Sequence, residues 1–139
     1  MQAQKIAIDT MYAIGLMSKE EMAPLADLMA TGRIEGILSV VSITEMINVI
    51  GRRDENLMKS HIDKILSSDM TIAGTSYPIA RQAGLLRLRF GIPTADAIIA
   101  ATGIHHGASH LLTEDAHFSA VKGAIKPVNL KQLMAMVRQ

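Results

Sequence analysis

The 139-residue chain has no cysteine and no tryptophan, and only two phenylalanines and two tyrosines. The lack of cysteine excludes disulfides, zinc–thiolate centres and thiol catalysis, and it suits a reducing cytoplasm. So few aromatics argue against a stacking platform for single-stranded bases. They also require an aliphatic core, built from Ile, Leu, Val, Ala and ten Met. No apolar run approaches the roughly 20 residues of a membrane span. The opening Met1-Gln2-Ala3-Gln4-Lys5-Ile6 lacks the apolar stretch of a signal peptide. Internal repeats, low-complexity tracts and linkers are absent too, so one domain over residues 1–139 is expected.

Net charge is nearly missing as well: 14 Lys and Arg face 13 Asp and Glu, a formal net charge of +1. Setting aside the four acids singled out below leaves nine against fourteen. That basic excess is compatible with a polyanionic substrate without demanding one.

Apolar runs without alternation stand at Lys5–Ile8, Gly36–Val41, Met70–Ala73, Ser109–Thr113 and Ile125–Val128. Buried parallel strands read this way, because both of their faces meet protein. Pro127, which has no N–H for a ladder, fits only a sheet edge. Helical periodicity fills the gaps. A helical turn is expected over Met11–Met17. A helix opened by a capping box at Ser18–Glu21 follows, with Met22, Leu25, Ala26 and Met29 on one face. Ser42 is expected to cap a helix that runs to Gly51, and Asp54–Ser67 and Tyr77–Phe90 are two more. Thr94 is expected to cap an Ala-rich helix to about His106, and Leu130–Arg138 closes the chain. Alternating strands and helices imply right-handed crossovers, hence a three-layer α/β/α sandwich on a parallel sheet of four to five strands.

Four acids, Asp9, Glu45, Asp96 and Asp115, each follow an apolar run where strand gives way to loop or helix. Ligands of open parallel sheets bind beyond the carboxyl ends of the strands, so all four are expected at one edge. Gathered carboxylates repel one another unless a cation sits among them. An oxygen-rich, cysteine-free set suits Mg²⁺ or Mn²⁺, which activates water and stabilises charge on a phosphoryl group. Each acid also has a purely structural reading. Glu45 stands three residues after Ser42, as in a capping box; Asp96 suits a helix dipole; Asp115 suits a turn. Asp9 is the hardest to dismiss, because a carboxylate ending a buried central strand needs a partner.

The segments around these acids resemble the PIN-domain ribonucleases, in particular the toxin component of VapBC toxin–antitoxin pairs. Ile6-Ala7-Ile8-Asp9-Thr10 is similar to the family's apolar strand ending in Asp-Thr or Asp-Ser. Val41-Ser42-Ile43-Thr44-Glu45-Met46-Ile47 resembles its Ser-x-x-x-Glu-Leu segment. Thr94-Ala95-Asp96-Ala97-Ile98-Ile99-Ala100-Ala101 is similar to its Asp-Ala-x-Ile-Ala-Ala helix, and His110–Phe118 resembles its closing strand, Thr-x-Asp and Phe.

The resemblance spans the whole chain and implies a divalent-metal-dependent endoribonuclease. Asp9, Glu45, Asp96 and Asp115 would be catalytic, with Asp9, Asp96 and Asp115 on the metal. Thr10, Ser42 and Thr113 would support them through hydrogen bonds. It further implies an RNA substrate, an antitoxin partner whose helix docks near the first helices, and a homodimer. The methionines Met11, Met17, Met22 and Met29 would suit that docking, although core filling serves them equally. Arg81, Arg87, Arg89 and His117 are candidate substrate contacts, although a solvated side chain is the more frequent reading of each. Two departures stand out: Met11 replaces a small polar or β-branched residue, and His117 stands where some members carry another Asp, which points to one metal rather than two.

Other readings are open. A stand-alone PIN nuclease for RNA processing or decay fits the same residues. A phosphoacceptor signalling module would need an acid after the third strand, where Ala73-Gly74-Thr75 stands. A haloacid-dehalogenase-like phosphatase would need Asp-x-Asp, and residue 11 is Met.

Overall fold

A computed structural model of the chain describes residues 2–137. Five strands, β1 (Gln4–Ile8), β2 (Ile34–Ser39), β3 (Thr71–Ala73), β4 (His110–Leu112) and β5 (Lys126–Val128), form one sheet in the order β3-β2-β1-β4-β5. Every pairing is parallel. The helices are α1 (Thr10–Leu16), α2 (Ala23–Ala30), α3 (Val40–Gly51), α4 (Glu55–Leu66), α5 (Tyr77–Phe90), α6 (Thr94–His105) and α7 (Leu130–Val137). Two 3₁₀ turns, Glu20–Met22 and Ala116–Val121, complete the chain. The five strands and their parallel sense match the sequence expectation, and Pro127 lies on an edge strand as expected. No helix among the described residues is long and apolar enough to cross a membrane.

The two-residue period of the strands explains why their runs do not alternate. Ile6, Ile8, Leu38 and Leu112 point into one core with Leu25, Met46, Ile65 and Leu133. Their neighbours Ala7, Ile37 and Leu111 point into a second core with Ile79, Ala97, Ala100 and Phe118. Both faces are thus covered by helices, giving the three layers. Met22 and Met29 belong to the first core, whereas Met11 is exposed.

Strand order positions the site. From β1 the chain steps outward to β2 and β3, then returns to β4 on the other side of β1. The order reverses between β1 and β4, whose ends Ile8 and Leu112 are in register. Beyond them the Asp9 N–H donates to the Leu112 carbonyl at 3.0 Å. A crevice therefore opens at the carboxyl ends of these two strands. Helix α6 lies close over the sheet because it presents small side chains. A Cβ at Gly103 would come within 2.7 Å of Ala7 Cβ and 2.9 Å of Ile125 Cδ1.

Several local expectations are corrected. Strand β2 ends at Ser39, and Val40 and Val41 already belong to α3, where packing overrides their preference for strand. Ser39, not Ser42, caps α3, its Oγ accepting from the Val41 N–H at 3.2 Å. Glu45 consequently sits in the second turn, not the first. Ser18 does not open α2; its hydroxyl donates to the Ile14 carbonyl at 3.1 Å and closes α1. Pro24, in the first turn of α2, favours a start at Ala23, since its fixed φ and missing N–H suit that position. Thr94 is inside α6, which follows Pro93 and has no side-chain cap. Helix α1 begins at Thr10, with Asp9 itself as cap. The expected end of the last helix at Arg138 lies outside the described residues.

Candidate active site

Asp9, Glu45, Asp96 and Asp115 all line one cavity of about 780 Å³ at the reversal of strand order. Asp9 is the deepest, only 8% exposed. Its Oδ1 accepts from the Thr10 N–H at 2.8 Å, and its Oδ2 accepts from the Thr113 hydroxyl at 2.7 Å. Thr113 Oγ1 in turn accepts from the Asp115 N–H at 2.9 Å. One hydroxyl at the end of β4 thereby links the carboxylate after β1 to the backbone that carries the carboxylate after β4.

Glu45 is held from the other side. Thr10 Oγ1 lies 2.6 Å from Glu45 Oε1 and 2.9 Å from Ser42 Oγ. A hydroxyl has one proton and an ionised carboxylate only accepts, so Thr10 donates to Glu45 and the Ser42 hydroxyl donates to Thr10. Ser42 is fully buried one turn before Glu45 on α3. It is therefore a link in a relay rather than a helix cap.

Asp96 enters from the first turn of α6, where the helix dipole favours a negative charge. Its side chain is 14% exposed, that of Asp115 38% and that of His117 61%. His117 Nδ1 lies 3.3 Å from Asp96 Oδ2 and 3.1 Å from Asp115 Oδ1. Asp115 caps the 3₁₀ turn that follows it, accepting from the His117 N–H at 2.9 Å. Fully buried Phe118 pins that turn to the second core.

The electrostatics reflect crowding. Burial pushes the Asp9 carboxyl above its usual range, against the pull of its bonds from Thr113 and Thr10, and the charges of Asp115 and Glu45 push it further. Asp96 is raised to about 6, first by burial, then by the charges of Asp115 and Asp9; His117 opposes the rise and Glu45 adds to it. Burial and like charge that hold protons on Asp9 and Asp96 this way are offset by a cation among the acids. The donors are oxygens with a single imidazole, which fits a divalent ion of the Mg²⁺ or Mn²⁺ kind. Asp96, Asp115 and His117 each place a ligand atom within 4.8 Å of the others.

The expected helpers divide. Thr10, Ser42 and Thr113 are buried and hydrogen-bonded to the acids or to one another. Arg81 and Arg87 stand on α5 and do not line the cavity. The Arg87 Nε–H donates to the Ile92 carbonyl at 3.1 Å and steadies the turn before α6. Other wall residues were not anticipated. Lys19 and Lys131 bring positive charge and Glu21 and Glu114 negative charge, with Tyr12, Asn129 and Leu130 on the wall toward α7. The Leu130 N–H donates to the Tyr12 hydroxyl at 3.1 Å, tying α7 to α1. Asn129 and Gln132 exchange two bonds of 2.8 Å, a capping box whose Asn-x-x-Gln spacing was visible in the sequence.

A model of the PIN domain family matches residues 6–124. The chain belongs to the PIN domain family. Among solved structures, VapBC2 from Rickettsia felis bound to a promoter DNA fragment is similar to it at a TM-score of 0.74. That match has 19% identity and covers 91% of this chain and 98% of that one. A toxin–antitoxin complex from Klebsiella pneumoniae gives a TM-score of 0.63 at 22% identity, covering 91% and 97%. DNA-bound VapBC from Salmonella typhimurium gives 0.68 at 14% identity, covering 92% and 98%. At these identities the likeness is one of fold. No relative of significant sequence similarity is found among curated proteins.

Proposed function

We propose that this PIN domain is a divalent-metal-dependent endoribonuclease that hydrolyses RNA phosphodiester bonds and serves as the toxin of a toxin–antitoxin pair. The observation that carries the reading is the convergence of Asp9, Glu45, Asp96 and Asp115 on one cavity where the sheet order reverses. Asp9, Asp96 and Asp115 would hold Mg²⁺ or Mn²⁺. When bound, such an ion supplies an activated water and stabilises charge on the phosphoryl group.

The protein's own groups prepare the rest. Thr113 and the Thr10 amide hold Asp9 in one orientation. The Ser42–Thr10 relay fixes one oxygen of Glu45 and leaves the other to accept a proton from the attacking water. Lys19 and Lys131 on the cavity wall draw in phosphate, and a strand of RNA has one at every residue. Exposed Met11 and Val49 on the same rim offer an apolar seat for an antitoxin helix. Exposed Tyr77, Leu85 and Leu88 on α5, with exposed Arg81 among them, offer a second face suited to a homodimer.

Support for the toxin assignment comes from the toxin–antitoxin complexes among the fold neighbours. Purified protein is expected to cut RNA with Mn²⁺ or Mg²⁺, and Asp96→Asn is expected to lose that activity by about 100-fold or more. Induced expression of the parent, but not of Asp96→Asn, is expected to arrest bacterial growth. Cleavage without arrest would favour a stand-alone RNA-processing nuclease, and absence of cleavage with either ion would sink the nuclease reading.

A further inference from the structure

Among the described residues, His117 is the one imidazole that joins the acids. Its backbone is fixed from two directions. The backbone N–H donates to Asp115 Oδ1 at 2.9 Å, and the next residue, Phe118, is wholly buried. Nδ1 faces Asp115 Oδ1 at 3.1 Å and Asp96 Oδ2 at 3.3 Å. Neighbouring ligands on an octahedral ion, with bonds of about 2.1 Å, stand about 3.0 Å apart. The two observed separations fall near that spacing, so one ion could touch all three side chains with small adjustments.

We propose that His117 donates Nδ1 to the divalent cation held by Asp96 and Asp115, making a mixed nitrogen–oxygen site that ranks Co²⁺ above Mn²⁺ and Mn²⁺ above Mg²⁺. The proposal rests on the metal-dependent reading given above and adds which ion the site selects. Mg²⁺ takes oxygen ligands and gives up its waters reluctantly, so an imidazole brings it little. First-row transition ions accept imidazole readily, and their affinity for a given nitrogen–oxygen site rises from Mn²⁺ to Co²⁺.

The same geometry has a rival explanation: a protonated His117 bridging two carboxylates as a simple ion pair. The two make opposite demands. A bridging imidazolium competes with every cation, so its removal would tighten Mg²⁺ and Mn²⁺ alike. A ligand imidazole is missed by Mn²⁺ far more than by Mg²⁺. His117 is 61% exposed at its side chain, so its substitution leaves the core untouched.

The test is calorimetric titration of the full chain, without RNA, with Co²⁺, Mn²⁺ and Mg²⁺, on the parent, His117→Ala and His117→Asp. Pulsed electron paramagnetic resonance of the Mn²⁺-loaded proteins reads the ligand directly. The parent is expected to show ¹⁴N modulation from a directly bound nitrogen, absent in both variants. His117→Ala is expected to lose about tenfold or more in Mn²⁺ affinity with little change for Mg²⁺. His117→Asp is expected to narrow the Mn²⁺-to-Mg²⁺ ratio by raising Mg²⁺ affinity. Mn²⁺ binding to the parent without ¹⁴N modulation would overturn the proposal while leaving the metal site standing, as would tighter binding of both ions to His117→Ala. Failure of the parent to bind any of the three ions would overturn this proposal and the metal-dependent reading together. RNA cleavage does not enter these readouts, so failure of the nuclease assignment alone stays separate.

Discussion

Asp9, on the inner side of the cavity, has both carboxylate oxygens occupied by protein donors, and Glu45 hangs on a two-hydroxyl relay. Asp96 and Asp115, on the outer side, meet His117 and one backbone amide, and neither has a side-chain hydroxyl donating to it among the described residues. The inner pair is placed by the fold whether or not an ion is present. The outer pair stays open, with oxygens free to bind an ion and reach substrate. Rigidity where geometry must be preset, and uncommitted donor atoms where a ligand must enter, follow from the hydroxyl bonds made to the first pair and their lack at the second; Asp9 is buried, Asp115 exposed, and Glu45 and Asp96 lie between.

That contrast can be broken from both sides. Loss of charge at either end has the largest expected effect: Asp9→Asn and Asp96→Asn should each reduce RNA cleavage by about 100-fold or more, since both halves are needed to hold the ion. If only one does so in a metal-dependent cleavage assay, the two halves do not share a function.

Next in size is stability. Thr113→Val removes the donor to a buried carboxylate and the acceptor for the Asp115 amide, so denaturant unfolding of the metal-free protein should show a loss of about 1–3 kcal/mol. His117→Ala, on the exposed side, should stay within about 0.5 kcal/mol of the parent. Equal losses would mean that the inner network is no more structural than the outer contacts.

The smallest effect is the pH dependence of the metal-free fold. Asp96 holds its proton up to about pH 6, against 3.8 when unperturbed. The folded state therefore binds that proton more tightly than the unfolded state does. The resulting stability is fully present below about pH 4 and is lost as pH rises through about 6. Asp9, also raised, contributes with the same sign. Thermal unfolding across this window should show a component that is absent in Asp96→Asn and suppressed at neutral pH by saturating Mn²⁺. An unchanged profile in Asp96→Asn would contradict the crowding of charge around that residue.

The two halves also differ in how far the sequence reveals them. Asp9 and Asp115 stand out because each ends an apolar strand, and the reversal between β1 and β4 makes those ends neighbours. Thr10 and Thr113 were legible as hydroxyls beside them. The β2–α3 boundary was not, because Ser39-Val40-Val41-Ser42 carries β-branched residues through the first helical turn and offers two serines as caps. The family resemblance implied Ser42 and Thr10 as hydrogen-bonding support, but with Ser42 read as the cap the path from Ser42 through Thr10 to Glu45 did not emerge. The contact of His117 with Asp96 was not legible either. It depends on how closely α6 descends on the sheet, which small residues such as Gly103 permit but no local pattern announces. Lys19 and Lys131 meet the cavity only through tertiary approach.

A crystal soaked in Mn²⁺ and measured at the manganese absorption edge tests the central claim most directly. An anomalous peak within bonding distance of Asp96 and Asp115, beside Asp9, is the expected result. A well-ordered Mn²⁺-soaked crystal with no peak among the four carboxylates would contradict it.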